Sequence, residues 1–144
     1  MSGDEVETST GTQVETTRKL AAQRQIDAAI DHIKRLELEF AITLAAAAET
    51  TLPDTANPHF LELLRQHPSF LRKEVNFNET TNWLMHYIPP DIRYIFEQEA
   101  ALVIIRAISK FCAVYDDSNP AWLDFLEWGN SKRFWPVDLS AMRE

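Results

Sequence analysis

The chain has 144 residues, 45% hydrophobic content and a net charge of −8. A chain of this length buries roughly two thirds of the surface that its unfolded form exposes, so it needs no disulfide or metal to fold. The acidic balance opposes diffuse binding to nucleic acid or anionic lipid, because such binding relies on cation-rich surfaces.

Glycine is the most informative residue type, since only Gly129 of the three glycines lies beyond the first eleven residues. Hairpins and glycine-rich phosphate loops need glycine to reach positive φ, so its scarcity favours helices joined by proline-marked loops. We therefore predict an all-α, single-domain helical bundle over residues 15–135. Residues 1–14 are polar and acidic and are expected to form a disordered tail, and residues 136–144 an irregular C-terminal tail.

One long N-terminal helix is predicted over residues 16–49, because apolar side chains recur there at nearly helical spacing. The alanine run at 45–48 leaves little side-chain bulk, so another helix is expected to cross closely there. Prolines then mark a loop over residues 50–58, and a short helix is predicted at 59–66.

The second half of the chain predicts three more helices. Residues 78–87 form the first of them, and Pro90 is placed in the first turn of the next. That next helix, near residues 91–116, is predicted to be the buried core helix, because apolar side chains cover most of its circumference. Asn119 and the following proline begin the last helix, and Gly129 is predicted as its C-terminal cap.

No sequence motif of a known catalytic, nucleotide-binding or metal site is present. The chain lacks a Walker loop, a dinucleotide fingerprint and a His-Glu-x-x-His sequence, and the Glu-x-x-His pairs of helical carboxylate sites are also absent. The single cysteine, Cys112, lies in an apolar run and is interpreted as an inert core thiol, which fits a reducing, cytoplasmic setting. We therefore expect no cofactor, no metal site and no catalytic residue.

Charged side chains within the apolar helices are the first candidate site. Such groups must pair or reach solvent, so they predict either structural ion pairs on solvated faces or a polar pocket with shifted pKa values. Arg72 and Lys73 are the partners expected for the glutamate that follows the alanine run. The members of this candidate polar site are Arg35, Glu39, Glu49, Glu99 and Arg106.

Aromatic side chains late in the chain are the second candidate. All four tryptophans lie after position 82, and tryptophan is favoured at the centres of protein interfaces. Interleaved with Lys132 and Arg133, the same rings could stack on bases or simply dock on the core. The candidate interface residues are Trp122, Trp128, Phe134 and Trp135.

The long helix ending in Leu44-Ala-Ala-Ala-Ala-Glu49, with Arg106-Ala-Ile-Ser-Lys110 later in the chain, resembles small all-helical bacterial proteins. Their layout is similar to the HEPN superfamily of helical bundles, and the resemblance covers about residues 18–135. HEPN ribonucleases carry an arginine followed four to six residues later by histidine, but neither Arg93 nor Arg106 has such a histidine. The resemblance therefore implies a non-catalytic HEPN-like bundle.

The leading functional hypothesis is a non-catalytic helical interaction module that forms a homodimer or binds another protein. One alternative is a HEPN-type RNA-acting or nucleotide-binding protein, and another is a binder of a small ligand or metal in the bundle core. Membrane association is not expected, because the longest apolar run, residues 100–115, contains Arg106 and Lys110. The N-terminus also lacks the apolar region of a secretory signal. Nucleic acid is not the expected partner, because the chain is acidic.

Overall fold

The computed structural model describes residues 10–54, 66, 78–136 and 138–139, and within these residues it contains helices and no strand. The predicted all-α class is thereby confirmed for the described part of the chain. The predicted short helix at 59–66 lies almost wholly outside it, as do most of the two predicted tails.

Helix α1 (Arg18–Lys34) begins after Thr17, whose side-chain oxygen accepts a hydrogen bond from the Leu20 backbone N–H at 3.1 Å. This bond satisfies one of the amides that the first turn of a helix leaves without a partner. One face of the helix enters the core through Ala22, Ile26, Ala29, Ile30 and Ile33.

The predicted single helix over 16–49 is wrong at one point, because the chain reverses at Leu36. Leu36 has φ of 61°, in the left-handed region. The Glu37 N–H donates to the His32 carbonyl at 3.0 Å, and the Leu36 N–H donates to the Ile33 carbonyl at 3.0 Å. These two bonds form a Schellman motif, which ends a helix. Glycine usually takes the left-handed position, so leucine gave no sequence signal there.

Helix α2 (Leu38–Thr51) follows at once and packs against α1. Its buried face is mostly alanine, with Ala41, Ala45 and Ala48 fully buried. Small side chains let helix axes approach closely, and α2 also packs against the core helix. The predicted crossing at the alanine run agrees with this packing.

The next helical segment covers residues 78–85 and is called α3. Residues 86–96 are not helical, so the prediction that Pro90 lies in the first turn of the core helix is wrong. The Trp83 indole N–H donates to the Pro90 carbonyl at 2.7 Å and folds the chain back beside α3.

The core helix, α4 (Glu97–Tyr115), starts six residues later than the predicted boundary at 91. The Glu99 carboxylate accepts the Phe96 backbone N–H at 3.2 Å, so it caps the helix at this later start. From Ala100 to Ile105 every residue is buried, which confirms that this helix is the centre of the core. The left-handed residue Asp116, with φ of 51°, ends it.

The last helix, α5 (Pro120–Ser131), begins as predicted. The Asn119 side chain accepts the Ala121 backbone N–H at 3.0 Å, and Pro120 occupies the first turn, where an amide hydrogen is not needed. The Trp122 indole N–H donates to the Asp27 carboxylate at 2.7 Å, which fixes α5 on α1.

The predicted role of Gly129 as C-terminal cap is wrong. Gly129 lies inside α5, and the left-handed position is taken by Arg133, with φ of 59°. The Trp135 ring packs directly on Gly129, where a Cβ atom would overlap it. The Asn130 side-chain oxygen then accepts hydrogen bonds from the Trp135 indole and the Leu139 backbone, so the chain after α5 is fixed on the body.

Candidate functional site

The five charged residues of the predicted polar site do not converge on one place in the described structure. Arg35 lies at the turn between α1 and α2, and Glu39 is exposed in the first turn of α2. Glu49 and Arg106 form an ion pair, whereas Glu99 lies at the start of α4 and contacts other residues. One pair of the set therefore forms a contact, and the other three members are distributed over the bundle.

The ion pair links the end of α2 to the middle of α4. The Arg106 guanidinium lies 3.2 Å from the Glu49 carboxylate, and it also donates to the Asn78 side-chain oxygen at 2.6 Å. One turn further along α4, Lys110 donates to the Glu49 carbonyl at 3.0 Å and contacts Asp54 at 3.2 Å. The two cations thus join α2 and α3 to α4. Arg72 and Lys73, the partners expected for Glu49, lie outside the described residues.

A second polar cluster surrounds the buried carboxylate of Glu99. The fully buried Thr80 hydroxyl donates to this carboxylate and accepts a hydrogen bond from Arg93 Nε at 2.9 Å. Because the other carboxylate oxygen accepts the Phe96 N–H, both oxygens are occupied. This cluster fixes the chain before α4 against α3, and it explains Glu99 as a helix cap.

The third cluster lies at the reversal between α1 and α2. His32 Nδ1 lies 2.7 Å from the Glu37 carboxylate, and Arg35 Nε donates to the same oxygen at 3.0 Å. The hydrogen bond with His32 is the largest cause that holds the pKa of Glu37 below its usual value, and Arg35 adds to it. Arg35, a predicted site residue, therefore supports the Schellman turn.

The tryptophans predicted as an interface are mostly core residues. Trp122 is 2% exposed and Trp135 is 6% exposed, so neither is available to a partner in the folded chain. Trp122 packs edge-on against Phe111 at 5.0 Å between ring centroids. Trp128 and Phe134 are half-buried and pack against each other at 5.5 Å. The alternative interpretation, in which the late aromatics dock on the core, describes these contacts.

Several large apolar side chains are exposed instead at the end of α3 and on the chain between α3 and α4. We call them together the 85–96 face. Tyr87, Tyr94 and Phe96 are 94%, 85% and 71% exposed, although large apolar and aromatic side chains are normally buried. The 85–96 face also includes three exposed side chains without rings, those of Met85, Ile88 and Ile92.

The sequence contained a signal for this surface that the prediction of a core helix obscured. Ile92, Tyr94, Ile95 and Phe96 are residue types that favour extended backbone. They follow Pro89, Pro90 and Asp91, and a proline disfavours helix only in the residue before it and at its own amide, so the prolines do not determine the conformation of residues 92–96. These residue types could have indicated an extended segment after Pro90, but the apolar content of residues 92–96 was assigned to the core helix instead.

Few other features of the described residues suggest chemistry. They contain no group of three or more metal-binding side chains. Burial raises the pKa of the Cys112 thiol to about 11, so it stays protonated and weakly reactive at neutral pH. No helix within the described ranges is long and apolar enough to cross a membrane.

Comparison with known proteins gives no relative from which a function could be transferred. No protein-family model matches the chain, and neither the curated proteins nor the solved structures contain a match. The HEPN-like layout stays a prediction, and only the residues of this chain bear on its function.

Proposed function

We propose that the protein is a non-catalytic helical interaction module that associates with a second copy of itself through the 85–96 face. The exposure of Tyr87, Tyr94 and Phe96 carries this proposal. The charged clusters support it indirectly, because their groups bind one another and link helices in the manner of structural ion pairs.

The size of the 85–96 face fits a contact between proteins. An aromatic side chain can bury on the order of 150–250 Å², so the exposed parts of the three rings amount to roughly 500 Å². The largest apolar patch on a typical monomer measures about 300–600 Å², and Met85, Ile88 and Ile92 add further area. A standard interface needs about 800 Å² from each partner, and we propose that the exposed side chains of residues 85–96 contribute to that area.

The face is also held in shape before any partner arrives. Trp83 fixes Pro90 at one end, Arg93 binds Thr80 in the middle, and Glu99 caps the other end. Surfaces that are already ordered lose little conformational entropy on binding, which favours association.

The test is the molecular mass in solution, measured by size-exclusion chromatography with light scattering from low to high micromolar concentration. We expect the mass to rise towards twice the 16.6 kDa of the chain. Tyr94→Asp should keep the helical circular-dichroism spectrum and remain monomeric, because a desolvated carboxylate at the contact is costly.

The matched control is Val14→Asp, which places the same charge on a side chain that is 79% exposed in the segment before α1. This variant should associate like the wild type. A wild-type chain that stays monomeric at high micromolar concentration would contradict the proposal, and so would equal loss of association in both variants.

A further inference from the structure

Residues 86–96 connect α3 to α4 without helix or strand, and we call them the strap. From position 87 to position 95, all of which the structure describes, no backbone N–H donates a hydrogen bond. The helices on either side are held by their own backbone hydrogen bonds, whereas the strap depends on side chains. Opening a segment of this kind breaks few bonds, so its free energy lies below that of global unfolding.

The strap also contributes little to the hydrophobic core. None of its residues is buried, and Ile95 is the one member that packs against the core. Tyr87 and Tyr94 are already 94% and 85% exposed, so lifting them exposes little further apolar surface. Because the hydrophobic effect grows with the apolar area removed from water, it opposes opening of the strap mainly through Ile95.

Three side-chain hydrogen bonds attach the strap to α3 and α4 within the described residues. The bond from the Trp83 indole to the strap backbone is exposed to water, and the bond from the Phe96 N–H to Glu99 belongs to the cap of α4. The third bond runs from Arg93 Nε to the Thr80 hydroxyl at 2.9 Å, and Thr80 is fully buried. A hydrogen bond from a charged group contributes more than one between neutral groups. Arg93 therefore makes the main contact that opening must break.

We infer that the strap opens as a unit from an intact bundle, and that Arg93 is the latch that keeps it closed. This inference does not depend on self-association. Opening withdraws Arg93 from α3 and uncovers the Thr80 hydroxyl, which itself donates to the Glu99 carboxylate. The closed strap carries most of the 85–96 face, so the latch also determines how much of that face is presented to a partner.

Limited proteolysis by chymotrypsin measures the opening, because this protease cuts after large apolar side chains that reach its hydrophobic pocket. The strap contains three aromatic cleavage sites, after Tyr87, Tyr94 and Phe96, and mass spectrometry identifies each cut. When opening and closing are fast relative to cleavage, the cleavage rate follows the population of the open form. Phe111 is the reference site, because it is fully buried inside α4 and is cut only after global unfolding.

The wild type tests whether the strap opens independently of the bundle. At low micromolar concentration, we expect the strap to be cut faster than Phe111 and with a weaker dependence on urea, because its opening exposes less surface than global unfolding. A strap cleavage that depends on urea as steeply as the cut after Phe111 would overturn the inference, since the strap would then open only when the bundle unfolds.

Arg93→Met tests the latch, because it removes the donor and keeps an unbranched side chain. This variant should be cut in the strap about tenfold faster or more, as expected for loss of a hydrogen bond from a charged group. Arg24→Met, in the middle of α1 on an exposed side chain, is the matched control and should leave the rate unchanged. Circular dichroism verifies that both variants are folded. An unchanged rate in Arg93→Met, or an equal increase in both variants, would overturn the assignment of Arg93 as the latch.

Discussion

Glycine and alanine variants at position 36 distinguish the Schellman turn from a continuous helix, because the two structures predict opposite orders of stability for these variants. Leu36 has φ of 61° and is 64% exposed. Left-handed backbone destabilises the folded state by roughly 1–2 kcal/mol for a residue with a Cβ atom. Glycine avoids this cost, but it lowers the free energy of unfolding by about 0.5–1 kcal/mol because it loses more conformational entropy on folding. Leu36→Gly should therefore be more stable than Leu36→Ala by about 0.5–1 kcal/mol.

Both variants remove the leucine side chain beyond Cβ, so their difference isolates the backbone effect. The assay is urea unfolding at low micromolar concentration followed by tryptophan fluorescence, with thermal unfolding as a second measure; the expected difference in Tm is about 2–3 °C. Arg24, exposed in the middle of α1, is the reference position. Arg24→Ala should exceed Arg24→Gly in stability by about 1 kcal/mol. The same order at position 36 would refute the turn and restore one helix over 16–49.

Two further predictions concern the chain after α5 and the acid limit of stability. Gly129→Ala should lower the free energy of unfolding by about 1–2 kcal/mol, because overlap with the Trp135 ring outweighs the gain in helix propensity. Urea unfolding measures this change in stability. A variant more stable than the wild type would contradict the packing of Trp135 on Gly129. The hydrogen bond with His32 lowers the pKa of Glu37 from 4.5, so its contribution is present above pH 4.5 and is lost as pH falls through the lowered pKa. As the pH falls below 4.5, the free energy of unfolding should therefore decrease more for the wild type than for Glu37→Gln. Equal decreases in the two proteins would contradict a stabilising role of the Glu37 carboxylate.

Sequence patterning predicted the elements whose signals are local. The cap of α5 at Asn119 and Pro120 was predictable because capping depends on the chemistry of one or two residues. The buried centre of α4 was predictable because an apolar run at helical length is rarely exposed. In both places the local preference and the tertiary structure agree.

The errors lie where tertiary contacts decide. Leucine at position 36 has no preference for left-handed backbone, so only the contact between His32 and Glu37 and the packing of α2 on α1 indicate the turn. Glycine at 129 suggested a helix end, but its use is to leave room for Trp135. Among the polar candidates, the pairing of Glu49 with Arg106 joins residues 57 positions apart, and spacing along the chain cannot reveal such a contact.

The later start of α4 and the proposed function have one physical origin. A helix beginning at 91 would have turned Ile92, Ile95 and Phe96 towards its neighbours at helical spacing. With the cap at Phe96, the same residues alternate, and only Ile95 reaches the core. Folding therefore leaves Ile92, Tyr94 and Phe96 in water, and the free energy from removing that apolar surface from water remains available for association. The apolar composition of residues 92–96 predicts that they belong to the core. Their exposure in the folded chain instead makes them the strongest candidate for contact with another molecule.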